Sequence, residues 1–199
     1  MITSGKVVGE IIDISFTQIT CEAKDLENIP TPGQFIRFAL DDYIVLGCTT
    51  RYDIGNISQE GYPRALWKSP DDLEKFYPQL QHILKGYFKC VILGFISNGK
   101  FISCLPDRSI RLHTMVELAE KKDILLATQN SLFLNSIIKA KDVDIIEVIP
   151  WMLYFAYIAR EKDYEYIEHM GKELNMYLRY DLNLLTPVIE RLENLIANM

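Results

Sequence analysis

The stretch most suggestive of chemistry is Gly94-Phe95-Ile96-Ser97-Asn98-Gly99-Lys100. It satisfies the spacing G-x-x-x-x-G-K, in which backbone N–H groups cradle phosphates and the lysine neutralises them. That chemistry also needs a Ser or Thr after the lysine to hold magnesium, and a helix that opens at the loop. Here Phe101 follows the lysine, and Phe101–Leu105 reads as a strand. Asn98-Gly99 is a hairpin signal, because both residues accept positive φ. The expectation is a β-hairpin, with no nucleotide bound.

The other reactive side chains do not assemble by spacing. His82, His113 and His169 are scattered, and none has a second ligand at helix or strand spacing, so no metal is expected. Cys21, Cys48, Cys90 and Cys104 offer no C-x-x-C pair. Each sits in an apolar, strand-like stretch and is expected to pack as a small hydrophobe. Asp41-Asp42 and Asp71-Asp72 are read as a turn and a helix start, not as an acid–base dyad. No catalytic residue and no cofactor is expected from these patterns.

Basic residues are the remaining candidates. Arg108, Arg111 and His113 cluster after Pro106, and in an extended segment Arg111 and His113 would face the same way. They could bind a phosphate, a partner's acidic strip or the C-terminal helices, or form a salt-bridged strand edge. Together with Lys85, Lys89 and Lys100 they make a candidate interaction surface. With Tyr87, Phe88 or Phe101 as stacking platforms, the same cations could follow a single nucleic-acid strand.

The elements that must position these groups change character along the chain. Lys6–Ile14, Phe16–Glu22, Phe35–Leu40, Tyr43–Arg51 and Tyr87–Ile96 favour strands, with Ile12 and Ile14 expected on one face. Pro32-Gly33 and Asp41-Asp42 are turns. Residues 54–68 read as a loop. Ser69-Pro70-Asp71-Asp72 reads as the start of a short helix that Pro78 breaks. Phe101–Leu105 returns from the hairpin, and Arg108–Val116 looks extended. Beyond about Glu117 helical spacing takes over. Leu132, Ile137 and Ile138 mark one helix, and Ile145–Arg160 a second, kinked or restarted at Pro150. Tyr164–Tyr180 and Leu182–Ala197 mark two more, the last with Leu185, Ile189, Leu192 and Ile196 in step. Trp151, Tyr154, Phe155, Tyr157, Tyr164, Tyr166, Tyr177 and Tyr180 form an aromatic stripe, read as helix packing or as an exposed interface. Strands followed by helices indicate an α+β protein: a small closed barrel of about six strands over residues 1–119 and a helical region over 120–199.

Composition bounds the function. The 199 residues carry a formal net charge of −6, which argues against a broad nucleic-acid surface. Residues 126–199 hold 7 basic and 11 acidic side chains, so the helical part is the more acidic one. The start MITSGKVVGE lacks the apolar core of a secretory signal, and Val148–Ala159 is too short to span a bilayer. A cytoplasmic protein without membrane contact is expected.

Residues 5–119 resemble the HAS-barrel family, the small barrel named for HerA and ATP-synthase subunits. The matching stretches are GKVVGEIIDISFTQITCEA, PGQFIRF, YIVLGCTTRYD and GYFKCVILGFISNGKFISCLPDRSIRLHTMVELA. The resemblance implies a closed six-stranded barrel. In ring ATPases such barrels form a crown above the motor, holding subunits together or receiving partners; in HerA-type systems the partner is a DNA-end nuclease. No motor domain follows in this sequence, so the resemblance carries over an assembly or docking role only, with a protein partner or self-association. Two other readings stay open. One is a barrel that binds single-stranded nucleic acid. The other is a flavin or nucleotide binder, since Pro32-Gly33-Gln34-Phe35 is similar to a turn in flavin-binding reductase barrels. Those enzymes have Arg-x-Tyr-Ser/Thr, whereas Arg51-Tyr52 is directly adjacent here.

Overall fold

The computed structural model describes residues 5–56, 72, 76 and 84–199. Seven strands lie in chain order: β1 (Val7–Ile14), β2 (Gln18–Ala23), β3 (Phe35–Leu40), β4 (Tyr43–Asn56), β5 (Leu84–Ser97), β6 (Lys100–Ile102) and β7 (Met115–Leu118). Six of them close into an antiparallel ring, β1-β2-β5-β4-β3-β7 and back to β1. β6 hangs on β5 outside the ring. Five helices follow: α1 (Lys121–Ala127), α2 (Leu132–Ile138), α3 (Ile145–Ala159), α4 (Tyr164–Leu178) and α5 (Leu182–Asn198). The α+β barrel-then-helices expectation is therefore met.

Local chemistry sets the corners. Asn98 and Gly99 both take positive φ, 49° and 73°, in the two-residue turn between β5 and β6. The apparent phosphate loop is this hairpin. Asp41, at φ 53°, turns β3 into β4. Asp144 and Asp163 cap α3 and α4 by accepting hydrogen bonds from the first-turn N–H groups. Pro150 sits inside α3, which runs on through it without restarting. The proline removes one bond from the helix ladder, and neighbours on both sides hold the helix in place.

Two apolar layers share one wall. Inside the barrel pack Val8, Ile11, Ile19, Cys21, Ile36, Phe38, Leu40, Val45, Phe88, Cys90, Ile92, Phe95 and Val116. Outside it, Phe35, Cys48, Val91 and Leu93 share a core with α2 and α3, which α4 and α5 extend from behind, while Leu46 and Ile96 pack against Ala127 of α1. β5 is thus buried on both faces, which is why Cys90–Ile96 is apolar without alternation. The outer layer joins barrel and helix residues, so it runs across the change of element type near residue 119.

Gly33 shows how closely the two parts meet. It takes φ +85°, and a Cβ there would lie 2.4 Å from the Trp151 Cβ of α3. The Pro32-Gly33 turn thus serves both the barrel corner and the helix seat.

Several expectations need correction. Ile12 is exposed and Ile11 fills the core, because the β1–β2 register shifts between Ile11 and Asp13. A bulge of this kind flips the residues beyond it, so Ile12 and Ile14 do not share a face. β4 continues through Asn56, so residues 54–56 are strand and not loop. β6 ends at Ile102, short of Leu105. Arg108–Val116 is not extended: Leu112 and His113 form a turn with His113 at φ 65°, and strand begins only at Met115. Leu132 is exposed while Phe133, Leu134 and Ile137 are buried. Cys104 lies exposed after β6 and is not a core thiol. The Ser69–Asp72 helix start and the Pro78 break lie outside the described residues, except Asp72, which is helical.

Candidate interaction surface

The helices are fixed to the barrel by an arginine that sequence reasoning missed. Arg37 of β3 is 3% exposed. Its Nε donates to Glu117 at 3.0 Å, and its Nη1 meets Glu120 at 2.7 Å and Asp123 at 2.9 Å. Glu117 belongs to β7; Glu120 and Asp123 form the capping box of α1. Burial works against the guanidinium charge, but its hydrogen bonds to Asp123 and Glu117 outweigh it and hold the arginine above its ordinary pKa. Arg37 therefore clips strand, strand and helix together. The available signal was an arginine within the apolar run FIRFAL, with acids spaced three apart at 117, 120 and 123.

Arg160 closes the next joint. Its guanidinium donates to the Leu125 and Thr128 carbonyls and to Thr128 Oγ1, and it lies 3.9 Å from the Tyr166 ring centroid. It supplies donors to the orphan carbonyls at the end of α1. Both arginines, one buried and one half-buried, are committed to structure.

The six basic candidates do not gather. Arg108, Arg111 and Lys100 lie at the end of the barrel that carries the β3–β4 and β5–β6 turns. Lys85 and Lys89 lie toward the start of β5, roughly 25–40 Å away along the strand at 3.3 Å per residue. Four of the six are paired with acids. Arg108 meets Asp42 at 2.6 Å and Asp41 at 3.4 Å, and its guanidinium lies over the Tyr43 ring. Arg111 meets Asp41 at 3.6 Å, His113 meets Glu10 at 2.5 Å, and Lys85 meets Glu22 at 2.5 Å. Partial desolvation works against the Arg108 charge, but Asp42 and then Asp41 outweigh it and raise its pKa. Lys89 and Lys100 are exposed and make no ion pair among the described residues. Of the aromatic platforms, Phe88 lies wholly inside the barrel and cannot stack on a base, and Phe101 packs against the outer core.

The aromatic stripe divides. Tyr154, Tyr157 and Tyr166 are buried between helices, whereas Tyr164 and Tyr180 are exposed. The thiols divide too. Hydrogen bonding to Cys90 and burial push the Cys21 thiol up, and burial pushes Cys48 up, which makes both inert.

Among the described residues, the β1–β7 side of the barrel carries apolar side chains in water. Ile12, Leu112 and Met115 are exposed there at 38%, 53% and 54%. They adjoin through the pairing of Glu10 with Met115 and the bond from the His113 N–H to the Ile11 carbonyl. The Glu10–His113 pair sits among them. The opposite wall hides its apolar residues under helices; this one presents them to solvent.

Clefts lie elsewhere among the described residues. One, of about 320 Å³, runs between the foot of the barrel and α1 and α3, lined by Phe35, Leu118, Ile124, Phe155, Ile158 and Ala159 among others. Another, of about 480 Å³, lies between α3 and α5 beside Trp151 and the Glu147–Arg191 pair. Among the described residues no group of three or more His, Cys, Asp or Glu is arranged for a metal ion, and no helix is long and apolar enough to cross a membrane.

No protein-family model matches the chain, and no curated protein matches it in sequence.

Proposed function

We propose that this protein is a non-catalytic docking module that receives a partner protein on the β1–β7 wall of its barrel. The observation that carries this reading is the set of Ile12, Leu112 and Met115, exposed together on the β1–β7 side of the barrel. Exposed apolar residues gathered on one face and rimmed by charge are a mark of protein contacts. The neutralised basic residues favour a protein over a nucleic-acid strand as well. The HAS-barrel resemblance supplies the partner class, a ring ATPase or DNA-processing assembly that uses the barrel as a mount. The helices, on this reading, stiffen the mount from behind.

A photo-crosslinking residue placed at Met115, and separately at Ile12, tests the proposal in cells. Both positions should capture the same protein, and Leu112→Asp should abolish that adduct. The same probe at Met176, which is 68% exposed on α4, should not capture it. Adducts at Met176 matching those at Met115, or none at either wall position, would sink the reading.

A further inference from the structure

β4 outruns one of its neighbours. β3 pairs with it over Tyr43–Cys48, and two further bonds join Thr49 to Gly33 and Gln34. Beyond Thr49, β4 continues with β5 alone, from Arg51 opposite Lys89 to Asn56 opposite Leu84. A register shift between Thr49 and Arg51 lies where β3 leaves off, and such bulges bend a strand out of its sheet. Among the described residues, no strand pairs with the other side of this stretch. Arg51, Tyr52, Asp53 and Ile54 are four exposed residues in a row, so water reaches both faces of the strand. Tyr52 and Ile54 are 46% and 51% exposed.

An open strand edge presents backbone N–H and C=O groups that fit another extended strand. That sets the shape of the occupant, and the side chains select which strand it is. Tyr52 and Ile54 share one face, Arg51 and Asp53 the other. Residues opposite each other in an antiparallel pair point the same way, so register decides which side chains meet. With Tyr52 facing Tyr52 of a second copy, Arg51 faces Asp53, Asp53 faces Arg51, and Ile54 faces Thr50. A one-residue slip sets Tyr52 against a charge. A shift of two residues sets Asp53 against Asp53 or Arg51 against Arg51, and like charges directly opposite are destabilising. The order cation, aromatic, anion is thus complementary to its own reverse.

Arg51 and Asp53 already meet within the strand at 2.7 Å, both exposed. Such a pair contributes little in water. The charges therefore set the register and do not drive the contact. Backbone bonds along the edge and the apolar area of Tyr52 and Ile54 drive it.

We infer that the β4 edge from Thr50 to Ile54 pairs antiparallel with the same edge of a second copy, across a two-fold axis at Tyr52, so that two barrels share one sheet. The contact is isologous and closes at the dimer. It uses none of Ile12, Leu112 and Met115, so the docking reading is tested separately.

Sedimentation over a concentration series tests this. The intact chain should pass from monomer to dimer. Arg51→Asp and Asp53→Arg should each weaken the dimer by about 30-fold, since both facings change from opposite to like charge. The variant carrying both exchanges should dimerise like the intact chain, and an equimolar mixture of the two single variants should form a heterodimer. Melting of the monomers should not change, because both side chains lie in water. In a Cys104→Ser background, Tyr52→Cys should crosslink to its own copy under oxidised glutathione. Ile54→Cys, four residues from its counterpart in this register, should not. An edge occupied by a stretch of the same chain would leave the protein monomeric at every concentration, and that result would overturn the inference. So would a dimer indifferent to Arg51→Asp, a mixture that fails to pair, or crosslinking at position 54 in place of 52.

Discussion

Replacing Arg37 by methionine removes the cation at the joint between barrel and helices and keeps most of the side-chain volume. Three carboxylates then face one another without it. Glu117 and Glu120 are 21% and 25% exposed and can turn to water. Asp123 is 1% exposed and cannot. Removing one partner of a buried ion pair costs about 3–5 kcal/mol, because the other charge is stranded. At about 2–4 °C per kcal/mol for a chain of this size, melting should fall by about 10 °C. Far-UV circular dichroism reads the transition. Barrel and helices should still melt together, since they share one core. The second variant, Arg37→Met with Asp123→Leu, removes the stranded charge and should recover most of the loss, because buried pairs are often replaceable by apolar groups. The reasoning is refuted if Arg37→Met melts within about 2 °C of the intact protein, or if the double variant is less stable than the single one.

Other outcomes follow from the same geometry. Gly33→Ala should destabilise by about 2 kcal/mol or more, since the position needs positive φ and the added Cβ meets Trp151 at 2.4 Å; urea unfolding measures it. In native protein a thiol reagent should titrate one of the four cysteines, Cys104, with Cys21, Cys48 and Cys90 reacting only after denaturation. Arg108→Ala with Arg111→Ala should change stability by less than about 1 kcal/mol, because both side chains form solvent-exposed pairs. The same double variant should leave retention on single-stranded DNA at low salt unchanged; a loss of retention would revive the nucleic-acid reading.

The parts of the fold legible in the sequence were those encoded locally. Asn98-Gly99 carries its own turn geometry and was enough to separate a hairpin from a phosphate loop. Pro32-Gly33 and Asp41-Asp42 did the same for two corners. The misplaced residues depended on distant partners. The bulge that exposes Ile12 arises from pairing with β2, and the turn that ends the extended reading of Arg108–Val116 answers to β1 and to Asp41. Leu132 matched the helical spacing of Ile138, but the barrel wall selects Phe133, Leu134 and Ile137. The unbroken apolar run of β5 was visible, and it implied cover on both faces; what covered it was not encoded nearby. The six basic candidates were read as one surface from a one-dimensional cluster, and the folded chain divides them between two ends. The apolar wall went unremarked because Ile12 and Met115 look like core in any one-dimensional pattern.

The closing seam of the barrel also sets the order in which the molecule can be made. β1 is synthesised early, but its second neighbour, β7, is completed only at Leu118. At 5–20 residues per second that is a wait of roughly 5–20 s on the ribosome. The five helices that cover the outer wall come later still. Through that interval the nascent chain exposes open strand edges and the apolar outer face of β5, so its demand on chaperones is concentrated before the last helix emerges.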